Sequence, residues 1–354
     1  MHRADLLTSF NAAHDWIERS RSPRTGGCRA YYTPLRGWSR THPEVTGCML
    51  PTLARDGKER LARSFGEFLL DIQHADGGWQ SGTWPARKDA PSNLMSTAQI
   101  ARGLCALYAQ THEAQWLEAA ARAGRRLTGT IDGEHHAYHT QVAWSLLEIW
   151  SQTGENDLRD AAIKILDLIR ARRTIYGAFA TWGFGGADAA FTHTVGYTLR
   201  GFLESARLLD AWPRYGKPVV VALRRLADDA LAAGGRLPGA YDADWHSDTR
   251  YACLPGSAQI AACLLAAYPS TLNRRFVLAA HAIIGEICRR QDRRGAVSGS
   301  HPVWGRYLRG RYPSWGAKYL CDAIAQLWAL DQDVVFEKPE AIRATSSQVA
   351  FTMM

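Results

Sequence analysis

The chain has 354 residues, 46% hydrophobic and 21% charged, enough apolar material for one large core or two modest ones and too much for a disordered protein. No 18-residue apolar run occurs, and Met1-His2-Arg3-Ala4-Asp5 lacks the unbroken apolar stretch of a secretory leader, so no membrane insertion is expected and the expected compartment is the cytoplasm. A net charge of +8 points towards an anionic partner.

Apolar residues recur at three- and four-residue spacing in twelve segments. An amphipathic segment at 5–20 is followed by a more uniformly apolar one at 44–55. The alternation continues with 57–74 and 95–110, 114–129 and 137–152, 156–172 and 191–209, 213–233 and 255–267, and 270–291 and 314–330. The first member of each pair suits an outer layer and the second an inner one. Short turns such as Gly154-Glu155-Asn156 follow the inner segments. Long loops rich in Gly, Trp, Tyr and His follow the outer ones, at 26–43, 77–93, 133–138, 176–188, 234–255 and 295–313. Weak self-similarity supports a repeat: Ser96-Thr97-Ala98-Gln99-Ile100 and Gly256-Ser257-Ala258-Gln259-Ile260 open two inner segments alike. The pattern predicts an all-α fold, an (α/α)6 toroid of six helical hairpins forming one domain over 1–335, with 336–354 as a loosely held tail. An open solenoid would need polar capping repeats, whereas here the first helix can close the ring against the last inner one.

If the ring closes, every inner helix starts on the loop face, and six helix N-termini with free N–H groups converge on one cavity. At or just before those starts lie Glu44, Gln99, His139, His193, Gln259 and Trp315, with Tyr138, Gln141, Tyr197, Arg200, Lys318 and Tyr319 about one turn further in. Tyr138-His139-Thr140 and Thr192-His193-Thr194 occupy equivalent places in adjacent units, which favours these two histidines as functional groups. The loops also carry Trp38, Trp79, Trp182, Trp245, Trp304 and Tyr307, whose faces can stack on sugar rings or line a pocket for a cation. Asp242 and Asp244 could join Glu44 in the paired-carboxylate chemistry of glycoside hydrolysis, or simply satisfy loop backbone groups. Arg21, Arg24, Arg29, Arg36 and Arg40 in the first loop, and seven arginines between Arg289 and Arg311, form a positive rim or a solvated surface. They match no nucleic-acid recognition motif, so no nucleic-acid partner is expected. The seven cysteines show no metal-finger spacing and read as buried thiols; neither a metal nor another cofactor is expected.

Together with Tyr138-His139-Thr140-Gln141 and Met95-Ser96-Thr97-Ala98-Gln99-Ile100-Ala101-Arg102-Gly103-Leu104, the toroid pattern resembles glycan-active (α/α) toroid enzymes. The nearest likeness is the C-terminal helical domain of glucuronyl C5-epimerases, with uronate lyases and unsaturated-glucuronyl hydrolases as cousins. Such enzymes place tyrosines, histidines or acidic residues at inner-helix ends, which corresponds loosely to Tyr138, His139, His193 and Tyr197 here. The β-rich domain that precedes the toroid in the epimerases has no counterpart in this chain. A weaker likeness joins Gln73-His74-Ala75-Asp76-Gly77-Gly78-Trp79 to the QxxDGGW repeat of squalene-hopene cyclases. That string occurs once, and Asp242-Ala243-Asp244-Trp245 lacks the last acid of the cyclases' DxDD, so it reads as a loop-shaping device in which Trp79 anchors the loop.

The resemblance implies an enzyme acting on an anionic, uronate-containing polysaccharide or oligosaccharide by removing the C5 proton. His139 or His193 would be the base, Tyr197 or Tyr138 the acid, and Arg200 and Lys318 with the helix N-termini the carboxylate clamp. The alternatives are a glycoside hydrolase using Glu44 with Asp242 or Asp244, an isoprenoid cyclase-like enzyme, and a non-catalytic glycan-binding protein of polysaccharide assembly.

Overall fold

The computed structural model describes residues 3–85, 90–130 and 133–334. Positions 336–354, expected as a tail, lie outside the described residues, as do 86–89 of the second long loop. The described residues hold twelve α-helices: α1 (Arg3–Arg19), α2 (Pro43–Arg55), α3 (Glu59–Asp71), α4 (Leu94–Thr111), α5 (Ala114–Thr128), α6 (Thr140–Thr153), α7 (Asn156–Arg170), α8 (Thr192–Leu208), α9 (Val220–Ala232), α10 (Leu254–Thr271), α11 (Arg274–Arg290) and α12 (Ser314–Val334).

Burial separates the two layers as the patterning requires. In α7 the buried residues are Leu158, Ala161, Ala162, Ile165, Leu166 and Ile169, a single stripe at three- and four-residue spacing. In α10 every residue from position 254 to 265 is buried, because one side faces the ring interior and the other the outer helices. The even-numbered helices pack side by side in the order α2, α4, α6, α8, α10 and α12, and α12 returns to α2. The outer helix α1 packs on α12, completing an (α/α)6 toroid.

Proline shifts some boundaries. The outer helix expected from 213 begins at Val220, since Pro213 and Pro218 divide the approach into a wide turn (Trp212–Gly216) and a 3-10 turn (Lys217–Val219). Conversely α10 runs through Pro269 to Thr271 and stops where Leu272 turns left-handed at φ 50°, so α11 starts at Arg274 rather than at 270.

Small residues let the inner helices close up. A Cβ on Gly103 of α4 would lie 2.3 Å from the carbonyl oxygen of Gly47 in α2, and one on Gly47 would lie 2.5 Å from Cα of Ile100. Both neighbours are backbone and cannot swing aside. We expect Gly103→Ala to destabilise the fold by about 1–3 kcal/mol despite alanine's better helix propensity. Urea denaturation checks this, and a neutral or stabilising result would mean that α2 and α4 sit further apart.

The loops are stitched into a crown over the starts of the inner helices. β1 (Tyr31–Thr33) pairs with both β2 (Gly37–Trp38) and β7 (Tyr312–Pro313), joining the first loop to the last. β3 (Ala190–Phe191) pairs with β4 (Ala240–Tyr241), and β5 (Ala252–Cys253) with β6 (Ser300–His301). Trp84 N–H donates to Thr41 O at 2.7 Å, linking the first two loops. In the Gln73–Trp79 stretch, Gly77 adopts φ 87° and Trp79 is fully buried, its Nε1 donating to Leu69 O at 2.8 Å.

Candidate active site

Beneath the crown lies a cavity of about 610 Å³ lined from several inner-helix starts. The start of α2 contributes His42, Glu44 and Cys48, that of α4 Met95, that of α8 His193 and Tyr197, and that of α12 Trp315. A 3-10 turn, Ala137–His139, precedes α6 and presents Tyr138 and His139. The loops add Ser81, His136, Phe184, Tyr307 and Leu308. Rings form a continuous wall: Tyr138 meets Phe184 at 5.6 Å, Phe184 meets His193 at 6.4 Å, and His193 meets Tyr307 at 5.3 Å between centroids. Trp315 Nε1 donates to the Tyr307 hydroxyl at 3.2 Å, fixing both rings.

Glu44 is the single carboxylate among the described lining residues. Burial raises its pKa above the usual 4.5; the one opposing contact is a hydrogen bond from Ser96 Oγ at 3.1 Å. The histidines move the other way. Burial pushes His193 and His139 down to about 3, with His135 and His136 also opposing a charge on His139. Burial lowers His42 to about 4. All three are neutral at pH 7. His139 Nδ1 accepts from the backbone N–H of His136 at 3.1 Å, so in the neutral ring the proton sits on Nε2 and His139 offers a donor. Tyr319 closes the floor, donating to the Tyr197 hydroxyl at 3.3 Å and lying 3.5 Å from Cys48 Sγ. Burial holds both phenols well above their usual pKa, hence protonated.

The structure divides the sequence candidates into groups. Glu44, Tyr138, His139, His193, Tyr197, Tyr307 and Trp315 meet in this cavity. Gln141, Arg200, Gln259 and Lys318 instead line a smaller void of about 50 Å³ on the far side of Tyr197 and Tyr319. Gln99 accepts from Arg102 at that level. Depth is the reason: Arg200 lies eight residues, about 12 Å, into α8. Arg200 is paired with Glu204 at 2.7 Å and Lys318 with Asp322 at 2.6 Å, so the expected carboxylate clamp does not form at the cavity.

Asp242 and Asp244 do not join Glu44 either. Asp242 accepts from the backbone of Asp244 and His246 and from the His246 ring, holding its own loop, and neither aspartate lines the cavity. Trp79, Trp182 and Trp245 are buried as loop anchors, the last donating to Tyr176 O. Trp38 packs on Trp16 at 4.8 Å beneath Arg29, and Trp304 stands 68% exposed. The arginine rim is partly neutralised: Glu286 binds Arg289 and Arg290, and Asp292 binds Arg294. His42 and His136 were not singled out from the sequence. His42 sits immediately before α2, and His136 immediately before the 3-10 turn that leads into α6, close to the positions that selected Glu44 and His139.

No protein-family model matches the chain, and no curated protein does. Among solved structures, it is similar to an unsaturated glucuronyl hydrolase specific for heparin, with a TM-score of 0.75 at 12% identity over 94% of this chain and 99% of that one. It is also similar to a cellobiose 2-epimerase from Bacillus thermoamylovorans, with a TM-score of 0.72 at 12% identity over 92% and 100% of the two chains. An α-mannanase from Bacteroides thetaiotaomicron gives 0.64 at 14% identity over 94% and 97%. At these identities the likeness establishes the toroid fold. No helix among the described residues is long and apolar enough to cross a membrane.

Proposed function

We propose that the chain is a carbohydrate-active enzyme that moves a proton at a sugar carbon beside a carbonyl, as an epimerase or lyase does. One observation carries the reading: a single carboxylate among the described lining residues, with a raised pKa, shares its cavity with three neutral imidazoles. Proton abstraction needs one base close to the working pH and neutral donors for the oxygen that becomes negative. Glu44 is the base. His139 donates through Nε2–H to the developing oxyanion, where a neutral imidazole is a better match than a charged one. His193, packed against Tyr197 at 4.4 Å and Tyr307 at 5.3 Å, completes the polar wall. Phe184, Tyr138 and Trp315 supply faces on which a sugar ring stacks.

The paired-carboxylate hydrolase reading lacks its second acid among the described lining residues. C5 of a uronate and C2 of a reducing sugar are carbons of this kind. With no lysine or arginine among those lining residues, a uronate carboxylate would rest on helix N-termini alone, so a neutral reducing sugar meets the cavity on better terms. Both epimerases and glucuronyl hydrolases stand among the structural neighbours.

Proton NMR in heavy water, with uronate polymers and reducing disaccharides as substrates, tests the proposal. Deuterium entering at C2 or C5, or a new vinylic signal, is the expected result. New reducing ends without exchange at either carbon would replace the proposal with hydrolysis.

A further inference from the structure

The void below the tyrosine floor has an imbalance of charge. Its walls include Arg102, Arg200 and Lys318 against one carboxylate, Asp322. Asp322 is already shared by Lys318 Nζ at 2.6 Å, Arg55 Nη1 at 2.8 Å and Thr52 Oγ1 at 2.7 Å. Glu204, just behind, is shared by Arg200 at 2.7 Å and Arg207 at 2.9 Å. Arg102, only 5% exposed, has no carboxylate within ion-pair distance among the described residues. Its guanidinium lies 3.8 Å over the Trp144 ring, and it donates to the neutral carbonyls of Gln141, at 2.7 Å, and Gln99. Its Nε finds no partner among the described residues, and neither does Nε of Arg200 on the same void.

Glu204 acts on Arg102 only at longer range, and a buried cation whose direct contacts are amides and an aromatic face keeps much of its desolvation cost. Two glutamine oxygens and a ring quadrupole are attractive partners, but they bring no negative charge. A water molecule could fill a void of this size, yet it would leave the charge unbalanced. The volume, about 50 Å³, has room for a small ion beside Arg102.

We propose that this void is a binding site for a single small monovalent anion of the halide class, held by Arg102 with Arg200 and Lys318 beside it, beneath the floor of the sugar cavity. The site is independent of the reaction assigned above. Its effect is structural, joining α4, α6, α8, α10 and α12 through one central counter-charge.

Bromide soaked into crystals of the full chain is the direct test. An anomalous peak in contact with Arg102 is expected, and crystals that show bromide elsewhere but none in this void overturn the proposal. In solution, replacing sodium gluconate with sodium chloride at constant ionic strength should raise Tm by about 2 °C once chloride exceeds its Kd tenfold. Arg102→Gln should abolish that dependence. An Arg102→Gln variant with the wild-type chloride response overturns the proposal, since the response would then come from other sites. If this variant does not fold, the diffraction experiment on the unaltered chain still decides.

Discussion

Glu44→Gln is expected to lower kcat/KM on the responsive sugar by about 100- to 10,000-fold while leaving the protein as stable as before, or more so. The shape of the site is retained, because glutamine keeps an oxygen for the Ser96 hydroxyl. The stability side follows from linkage. Burial raises the folded-state pKa of Glu44 above 4.5, so the folded chain holds a proton that the unfolded chain has released. Stability therefore falls as pH rises from the unfolded value through the folded one. Replacing the charge with an amide removes that penalty, a trade of stability for activity often built into reactive sites. The pH profile separates the roles. The acid limb of kcat/KM should lie above 4.5 and vanish with Glu44→Gln in whatever activity remains. His139 and His193 do not contribute to it, because burial keeps both neutral down to about 3. Full activity in Glu44→Gln, or an acid limb that persists unchanged in that variant, would transfer the base role away from this carboxylate.

The helices were legible because two different burial regimes write two different patterns. An outer helix such as α7 shows one apolar stripe, whereas an inner one such as α10 is apolar or small all round, and their alternation is a property of the ring. Boundaries near Pro213 and Pro269 were less legible, since proline breaks one segment and is absorbed by the other according to the turn that follows. The starts of the inner helices bring Glu44, His139 and His193 to one cavity. Depth was harder to read. Spacing places Arg200 and Lys318 on the inward faces of α8 and α12, but only packing shows that the Tyr197–Tyr319 contact lies between them and the larger cavity. Asp242 illustrates the other gap: a carboxylate in a loop is drawn first to nearby backbone N–H groups, and the sequence does not say which loop will spend it that way.

The Gln73 motif occurs once as a string, yet the joint it builds occurs again. Gln73 Nε2 donates to Gly77 O at 2.8 Å and to Ala119 O, on the next outer helix, at 2.9 Å. At the other end of the chain, Gln291 Nε2 donates to Gly295 O at 3.0 Å and to Ser9 O of α1 at 3.1 Å. α1 is thus held by the sixth loop as α5 is held by the second, which makes it the next outer helix after α11. Gly295→Ala should break that joint. At φ 86° a side chain is already strained, and the added Cβ would lie 1.8 Å from the carbonyl oxygen of Ala12 in α1, an atom that cannot move without the helix. The expected cost is about 3–5 kcal/mol, seen as a fall in Tm of about 5 °C. Gly310→Ala is the matched control, because Gly310 has a similar φ of 69° and no atom near its Cβ position; it should cost about 1 kcal/mol. Their difference measures the contact between the last loop and the first helix with backbone strain subtracted. Equal melting of the two variants would mean that α1 is not seated there and that the ring is held shut by the α1–α12 packing and the β1–β7 pairing alone.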